Sequence, residues 1–211
     1  MKKNYSLILI ITFFFLSFQN SNNNFDHGIV EGHQYKNHFL GLSLTVPNDW
    51  QIADKKQLEI IYNMRHHEQT NGDKKTKPIV KDQEVTHAIL FYATKHLATE
   101  TEPSLPSIFL MAENLKNTPQ IKTGKDYLIA PNTLNMSFRN YPYKINDIKK
   151  TSIGSKEFYA VREKNLILKH ELTKVTSSTI INGFSLTIVV GFENKAQEDE
   201  IIEVLKNITF N

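Results

Sequence analysis

Thr176-Ser-Ser-Thr-Ile-Ile-Asn-Gly-Phe-Ser-Leu-Thr-Ile-Val-Val-Gly-Phe192 is the stretch that most directly indicates how this chain folds. Two runs rich in β-branched and aromatic residues flank the dipeptide Asn182-Gly183. Asn-Gly suits a two-residue hairpin turn, because both central residues of a type I′ turn need a positive φ. The sequence therefore predicts an antiparallel hairpin with strands over 176–181 and 184–192.

A helix is predicted directly after this hairpin. Asn194 is a good N-cap, and Gln197 stands at the capping-box position three residues later. The acidic residues at 198–200 favour the positive end of a helix dipole. Apolar side chains then recur at helical spacing, namely Ile201, Val204, Leu205 and Ile208.

The segments before the hairpin predict more strands and two more helices. Residues 39–46 alternate apolar and polar, as a half-buried strand does, and 88–93 and 107–112 are continuous apolar runs typical of central strands. Strands are also predicted at 157–161 and 166–168, on either side of a polar turn at 163–165. Helices are predicted over 54–65 and 123–139, with a long polar loop over 66–85. We expect an α+β fold with a single antiparallel sheet flanked by helices on both faces, and one domain over residues 25–211.

The first 24 residues have the pattern of a targeting segment. Lys2 and Lys3 precede an apolar run over 7–18, which the polar stretch 19–24 ends. This run is shorter than the roughly 20 apolar residues that span a bilayer, and it suits the apolar region of a signal peptide. We expect residues 1–24 to be a signal peptide or an N-terminal anchor. The protein would then be secreted or periplasmic, and would touch a membrane only through an uncleaved N-terminus.

Composition excludes several classes of function. The chain of 211 residues has no cysteine, so disulfides, thiolate catalysis and a lipidated cysteine are excluded. The formal net charge is +3, and it falls to +1 without Lys2 and Lys3. Only three basic residues are arginine, the side chain preferred for phosphates and base edges. We therefore expect no nucleic-acid partner.

No catalytic, cofactor-binding or metal-ligating residue is assigned from the sequence. His66-His67-Glu68 and His170-Glu171 lack the second histidine that a zinc-protease helix needs, and both are interpreted as solvated. The segment 41–45 lacks the last glycine of a nucleophile elbow. Neither a dinucleotide-binding glycine motif nor a P-loop occurs. No cofactor is expected.

Other candidates have a plain structural interpretation. His27, His33 and His38 could share a surface metal, but the segment that holds them is interpreted as a loosely ordered leader. His87 and His96 are separated by an odd number and are expected on opposite faces of a strand.

The lysines of 144–174 and the single tryptophan have similar plain interpretations. The lysines could form a basic face, but interleaved acids favour a solvated hairpin. Trp50 is interpreted as a core side chain at a strand-to-helix corner.

The motif Tyr35-x-Asn37-x-x-x-Gly41-x-Ser43-x-x-x-Pro47-x-x-Trp50 resembles the opening of PsbP-like domains, which occur in many secreted bacterial proteins of unassigned role. The late hairpin at 182–183 and the closing helix continue the likeness, so that it covers most of 33–211. The resemblance implies an antiparallel sheet covered by helices on both faces, a PsbP-like α/β/α sandwich. It also implies an accessory or binding role, since the plant relative is a non-catalytic subunit that helps photosystem II retain its inorganic ions.

Two functions are therefore expected from the sequence. The first is an exported, non-enzymatic binding or accessory domain, whose partner is a protein of the cell envelope or the extracellular space. The alternative is a histidine-dependent metal-binding protein, or a metal-assisted hydrolase of the envelope, that uses the histidines and the 66–85 loop.

Overall fold

The computed structural model describes residues 25–69, 87–131 and 146–211. Eleven strands are described there: β1 (Ile29–Glu31), β2 (Gln34–Asn37), β3 (Leu42–Thr45), β4 (Gln51–Ile52), β5 (His87–Thr94), β6 (Ser107–Asn114), β7 (Lys149–Ile153), β8 (Lys156–Ile167), β9 (His170–Ile181), β10 (Phe184–Phe192) and β11 (Thr209–Phe210). The same ranges contain three helices: α1 (Lys55–Gln69), α2 (Gly124–Ile129) and α3 (Lys195–Lys206). The predicted signal segment 1–24 lies outside the described residues, as do residues 70–85 of the predicted polar loop.

The strands form two antiparallel sheets. Sheet A has four strands in the order β1-β2-β3-β11, and sheet B has seven in the order β4-β5-β6-β10-β9-β8-β7. Sheet A joins the two ends of the described chain, because Thr209 and Phe210 pair with Ser43 and Leu42. The backbone N–H of Asn211 then donates to the carbonyl of Gly41 at 2.9 Å.

The main core lies between sheet A, helix α3 and one face of sheet B. Alternate residues of β2 and β3 face it, so that Tyr35, Leu42 and Leu44 are almost fully buried. Leu110 and Ile188 supply the facing side chains from sheet B. Each fully buried Leu or Ile contributes about 1.5–3 kcal/mol relative to exposure, so this cluster is the principal source of stability.

Helices α1 and α2 lie against the other face of sheet B, which we call the second face. Helix α2 contacts β8 and β9, and α1 contacts β5. Leu128 of α2 packs with Val161 and Ile148, and Tyr127 packs with Leu115 and Ile121. Gly124 is required where α2 meets β9, since a Cβ there would lie 1.8 Å from the carbonyl oxygen of Ser178.

The predicted single sheet flanked by helices is wrong. The described residues are mostly β, with two antiparallel sheets and short helices. Alternation over 39–46 identified β3 correctly, but it could not show that β3 belongs to a second sheet. The segment interpreted as a loosely ordered leader is also ordered, because it contains β1 and β2.

The predicted helices differ in length from those observed. Helix α2 stops at Ile129, because Ala130 precedes Pro131 and takes an extended conformation (ψ 136°). Residues 132–139 of the predicted helix lie outside the described residues. Helix α1 continues to Gln69, four residues beyond the prediction and into the predicted loop. Asp54 caps α1 as predicted, by accepting from the N–H of Gln57 at 2.8 Å.

The closing helix and its hairpin are confirmed. Asn194 caps α3 by accepting from the N–H of Gln197, and strands β9 and β10 meet at Asn182-Gly183 with φ values of 51° and 81°. The predicted turn at 163–165 is wrong. Strand β8 runs through those residues without interruption, and the chain reverses at Leu168-Lys169 instead.

The residues just before sheet A are tied firmly to it. The ring of Phe25 lies against those of Phe39 and Phe184, with centroids 6.4 and 5.2 Å away. The carboxylate of Asp26 accepts from the N–H groups of Gly28 (2.7 Å) and Phe39 (3.1 Å). The fold therefore uses the chain from residue 25 onward.

Three residues of the 35–50 motif have structural roles. The hydroxyl of Tyr35 donates to the carbonyl of His27, and the amide of Asn37 donates to the carbonyl of Asp26. Trp50 is 2% exposed within the main core, which confirms its prediction as a core side chain.

Candidate functional site

The turn between β8 and β9 exposes three consecutive apolar side chains. Leu166 is 76% exposed, Ile167 48% and Leu168 47%. Leu168 and Lys169 form a two-residue hairpin turn with φ values of 51° and 71°. We call residues 166–169 the hairpin tip. Apolar residues and strained backbone therefore coincide at one solvent-facing point.

The strain at the hairpin tip has a real energetic cost. A positive φ costs a non-glycine residue about 1–2 kcal/mol, and two such residues are adjacent here. The other hairpin turn of sheet B uses Asn182-Gly183, the pair that tolerates this geometry. Backbone strain that an Asn-Gly turn would have avoided is typical of functional sites.

The hairpin tip also extends beyond its neighbours. Strand β10 pairs with β9 only as far as Thr173, and β7 pairs with β8 only as far as Ala160. The three outermost β8–β9 pairs, from Asn165↔Leu172 to Ile167↔His170, have no described strand beside them. At about 3.4 Å per residue, the free part of the hairpin is roughly 10 Å long.

A loop over residues 95–106 lies beside the base of this projection. It is held from within, since the N–H of Thr99 donates to the carbonyl of Glu102 at 2.9 Å and the hydroxyl of Tyr92 donates to Ser104 at 2.8 Å. Lys95 anchors its start by an ion pair with Glu200 of α3 at 2.7 Å. The loop is therefore fixed to the body of the protein, and it exposes 55% of Leu97.

His170 joins the hairpin to this loop and to the end of β10. Its Nδ1 lies 2.8 Å from Oε1 of Glu193, and its Nε2 lies 3.4 Å from Oε2 of Glu102. The hydrogen bond to Glu193 raises the pKa of His170; partial desolvation opposes the rise, and the charges of Glu102 and Glu193 add to it. His170 was predicted to be a solvated edge residue, but only a quarter of its side chain is exposed.

Two shallow depressions flank the loop. One is lined by His96, Glu102 and Glu193, and Leu97 forms part of its wall. The other lies between α1 and β5, has a volume of about 260 Å³, and is lined mainly by apolar residues, among them Ile52, Ile60 and again Leu97. Leu97 therefore connects the two, and neither is an enclosed ligand cavity. We call the hairpin tip, the 95–106 loop and Glu193 together the hairpin end.

A row of polar side chains on the second face is the other chemical feature. His87, Glu113 and Ser185 are direct partners across β5, β6 and β10. The hydroxyl of Tyr127 donates to Oε2 of Glu113 at 2.7 Å, and the hydroxyl of Tyr62 bonds to Nε2 of His87. Each helix on this face is thus anchored to the row through one tyrosine.

The order within this row does not suit nucleophilic catalysis. Glu113 stands between the serine and the histidine, whereas a Ser-His-acid triad needs the histidine in the middle. The Oγ of Ser185 is fully buried and has no hydrogen-bond partner, so no substrate reaches it in this conformation. We interpret the row as an anchoring network.

The histidines singled out in the sequence lie apart from this row, His87 excepted. His27 is exposed, although its ring packs edge-on against Phe25; partial desolvation lowers its pKa, with a further lowering from the charge of Lys55. The side chains of His66 and His67 lie outside the described residues. Across the described ranges, no group of three or more His, Asp or Glu side chains is placed to hold a metal ion.

The spacing of His87 and His96 does not determine which face of the sheet each side chain occupies. A register shift between Ile89 and Phe91 interrupts the alternation, and His96 lies beyond the end of β5.

Three of the six described lysines in the segment 144–174 pair with acids of the same segment. Lys150 pairs with Glu157 (2.6 Å), Lys164 with Glu171 (2.5 Å) and Lys174 with Glu163 (3.0 Å). This pairing supports the interpretation of a solvated hairpin over that of a basic face. Lys169, at the turn, is exposed.

The sequence does not predict the hairpin tip: Leu166-Ile-Leu168 is a predicted strand, and the predicted turn is 163–165. One signal in the sequence points to it. Three consecutive apolar residues precede Lys169, whereas a strand with one buried face would alternate apolar and polar residues.

Comparison with known proteins adds little to this geometry. No protein-family model matches the chain, and no curated protein matches it. One similar solved structure is a crystal structure from Bacteroides thetaiotaomicron VPI-5482 at 1.50 Å, with 9% identity and a TM-score of 0.41. The match covers 81% of this chain and 45% of that chain, so this chain spans less than half the length of its structural neighbour.

Within residues 25–69, 87–131 and 146–211, no helix combines the length and the apolar character that a membrane span requires.

Proposed function

We propose that this chain is an exported, non-enzymatic binding domain that docks on a protein partner of the envelope or extracellular space through its hairpin end. The observation that carries the proposal is the hairpin tip, where three exposed apolar residues are held on a strained two-residue turn. The N-terminal pattern of residues 1–24 supports export. The resemblance of the 35–50 motif to PsbP-like domains supports an accessory role, although the sheet arrangement which that family implies is not the one observed.

The shape of the tip favours a cleft as the complementary surface. Leu166 and Ile167 are neighbours on one strand, so their side chains point to opposite faces of the hairpin, and Leu168 lies at the apex. A flat surface would cover only one of these faces. A partner that encloses the tip would bury all three side chains, at about 1.5–3 kcal/mol for each one fully buried.

The area of the tip suggests that it is an anchor within a larger contact. Three partly exposed side chains provide on the order of 200 Å² of apolar surface. A stable protein interface buries about 800 Å² on each partner. The 95–106 loop with Leu97 lies beside the tip and would extend the contact. A few buried apolar anchors supply most of the energy in interfaces of this kind.

Site-specific crosslinking tests the proposal. A photoreactive residue is placed at Leu168 in one variant and at Ile202 in another, and each is expressed in the cells that make the protein. Ile202 is a matched control, since it is 39% exposed but lies on α3. We expect one envelope or extracellular protein to be crosslinked reproducibly at Leu168 and not at Ile202.

Competition then shows whether the tip itself is recognised. Added wild-type protein should suppress the crosslink, and the triple variant Leu166→Ser, Ile167→Thr, Leu168→Asn should not. The double variant Ile29→Thr, Val30→Thr, which changes exposed apolar residues of β1, should compete as well as wild type. Equal competition by the triple variant would overturn the proposal.

A further inference from the structure

We propose that His170 is a protonation-dependent latch that holds the hairpin tip against the 95–106 loop and so regulates the shape of the binding surface. This inference rests on the proposed function for its biological meaning. The latch itself is a property of the isolated protein and is tested without any partner.

Three separate parts of the chain meet at His170. The residue opens β9, Glu193 directly follows β10, and Glu102 belongs to the 95–106 loop. One ring nitrogen faces each carboxylate, so a protonated imidazole can donate to both at once. A neutral imidazole has one N–H only and can donate to one carboxylate, while its other nitrogen faces the second as an acceptor.

The charged surroundings favour the protonated ring. From the loop the ring faces Glu102 and the backbone of Thr101, and from the end of β10 it faces Glu193. On the hairpin, Glu171 and Lys164 pair with each other. His96 lines the same depression as Glu102 and Glu193. Among the described residues, the charged groups in contact with His170 are thus carboxylates.

The hairpin is the part that a weakened latch releases. The outer residues of β8 and β9 have no described strand beside them, so few backbone hydrogen bonds connect them to sheet B. The loop is held by contacts of its own, through Thr99, Ser104 and Lys95. Losing the His170 contacts therefore frees the tip and leaves the loop in place.

The direction of the pH dependence follows from the contacts. The pKa of His170 is raised in the folded protein relative to an unperturbed histidine, which titrates near 6.5. The latch is then fully formed below the unfolded pKa and is lost as the pH rises through the folded pKa. Acidic conditions fix the hairpin tip, and alkaline conditions release it.

Amide hydrogen exchange of the hairpin tests the latch. Exchange of residues 165–172 is followed by NMR at about pH 5 and about pH 8.5, either side of the usual histidine pKa, and corrected for the intrinsic chemical rate. The amides of β10 over residues 185–190 serve as the internal reference. We expect the relative protection of the tip to fall by about twofold to fivefold at the higher pH, the range for a solvent-accessible ion pair.

Variants separate the latch from general pH effects. His170→Gln should show low tip protection at both pH values, and Glu193→Gln should reduce protection at the lower pH. His38→Gln, a change at an exposed histidine elsewhere, should keep the wild-type response. If His170→Gln kept the pH dependence, or if the tip and β10 responded equally in wild type, the latch would be refuted.

The latch and the proposed function fail in different experiments. Loss of the exchange response refutes the latch and leaves the crosslinking result unaffected. Failure of the crosslink at Leu168 refutes the proposed function and does not affect the pH response of amide exchange in the hairpin.

Discussion

The hydroxyl of Tyr127 on α2 donates a 2.7 Å hydrogen bond to the carboxylate of Glu113 on β6. Tyr127 is fully buried and Glu113 is partly exposed, so this bond is formed at the margin of the core. It connects a helix of only six residues to the central strands of sheet B. Because so short a helix is not stable alone, its position depends on such contacts.

Removal of this hydroxyl should destabilise the protein measurably. Tyr127→Phe keeps the ring and deletes one donor to Glu113, so the free energy of unfolding should fall by about 1–3 kcal/mol. Urea denaturation followed by circular dichroism measures the change. Tyr92→Phe is the matched control, because Tyr92 donates to Ser104 from a half-buried position, and it should cost less. An unchanged urea midpoint for Tyr127→Phe would contradict the anchoring role.

Gly124→Ala should be destabilising although alanine is the better helix former. Helix propensity alone predicts a gain of about 1 kcal/mol. The added Cβ would lie 1.8 Å from the carbonyl of Ser178, so α2 must move away from β9, and we expect a net loss of about 1–3 kcal/mol.

Thermal unfolding checks this expectation. Gly32→Ala shows the separate cost of backbone strain, since Gly32 has a φ of +60° and open space around the added Cβ, whereas Gly124 has no positive φ and its loss should come from the steric overlap. Stabilisation by Gly124→Ala would show that α2 does not pack on β9 as described.

Asp26 should make stability depend on pH in the acid range. Burial raises the pKa of Asp26, but hydrogen bonds from the backbone N–H groups of Phe39 and Gly28 more than offset this, so the net pKa is lowered. The contribution to stability is therefore present above the unfolded pKa and is lost as the pH falls through the folded pKa.

The variant Asp26→Asn should reveal this contribution. One of the two backbone N–H groups would face an amide NH2, so the variant should unfold at lower urea than wild type near neutral pH. The two curves should converge near pH 2, well below the usual aspartate pKa of about 3.9. Asp49→Asn, which alters an exposed residue, should show no such convergence. A constant difference at all pH values would contradict the assignment.

The contacts of Phe25 set a limit on where the N-terminal segment can be removed. A chain that begins at residue 25 should melt at the same temperature as the longer chain. A chain that begins at residue 29 should melt several degrees lower, since it lacks the Phe25 ring and the acceptors for Tyr35 and Asn37. Mass spectrometry of the native protein should therefore find a start at or before Phe25. A native start after Phe25 would contradict this.

Local signals in the sequence predict some of these elements well. The dipeptide Asn182-Gly183 determines its turn. The N-cap Asn194 and the helically spaced apolar residues after it determine α3. Both depend on interactions within a few residues of the chain. The alternation of 39–46 likewise identified the β3 strand, because burial on one face is a property of the strand itself.

Non-local contacts decide the features that the sequence did not predict. The separate sheet that holds β3 depends on two pairings, with the nearby β2 on one edge and with Thr209 and Phe210 of the distant β11 on the other. The turn at Leu168-Lys169 has no favourable local residue, so the pairing of β8 with β9 on both sides imposes it. The environment of His170 depends on Glu102 and Glu193, which come from distant parts of the chain.

The pairing of β11 with β3 has a consequence for the timing of folding. Leu42 emerges from the ribosome early, whereas its partner Phe210 follows about 170 residues later. At a synthesis rate of about 5–20 residues per second, sheet A stays incomplete for roughly 10–30 seconds in every new copy of the protein. During that interval the backbone N–H and C=O groups on this edge of β3 have no partner strand, so that a chaperone that binds extended segments can pair with them.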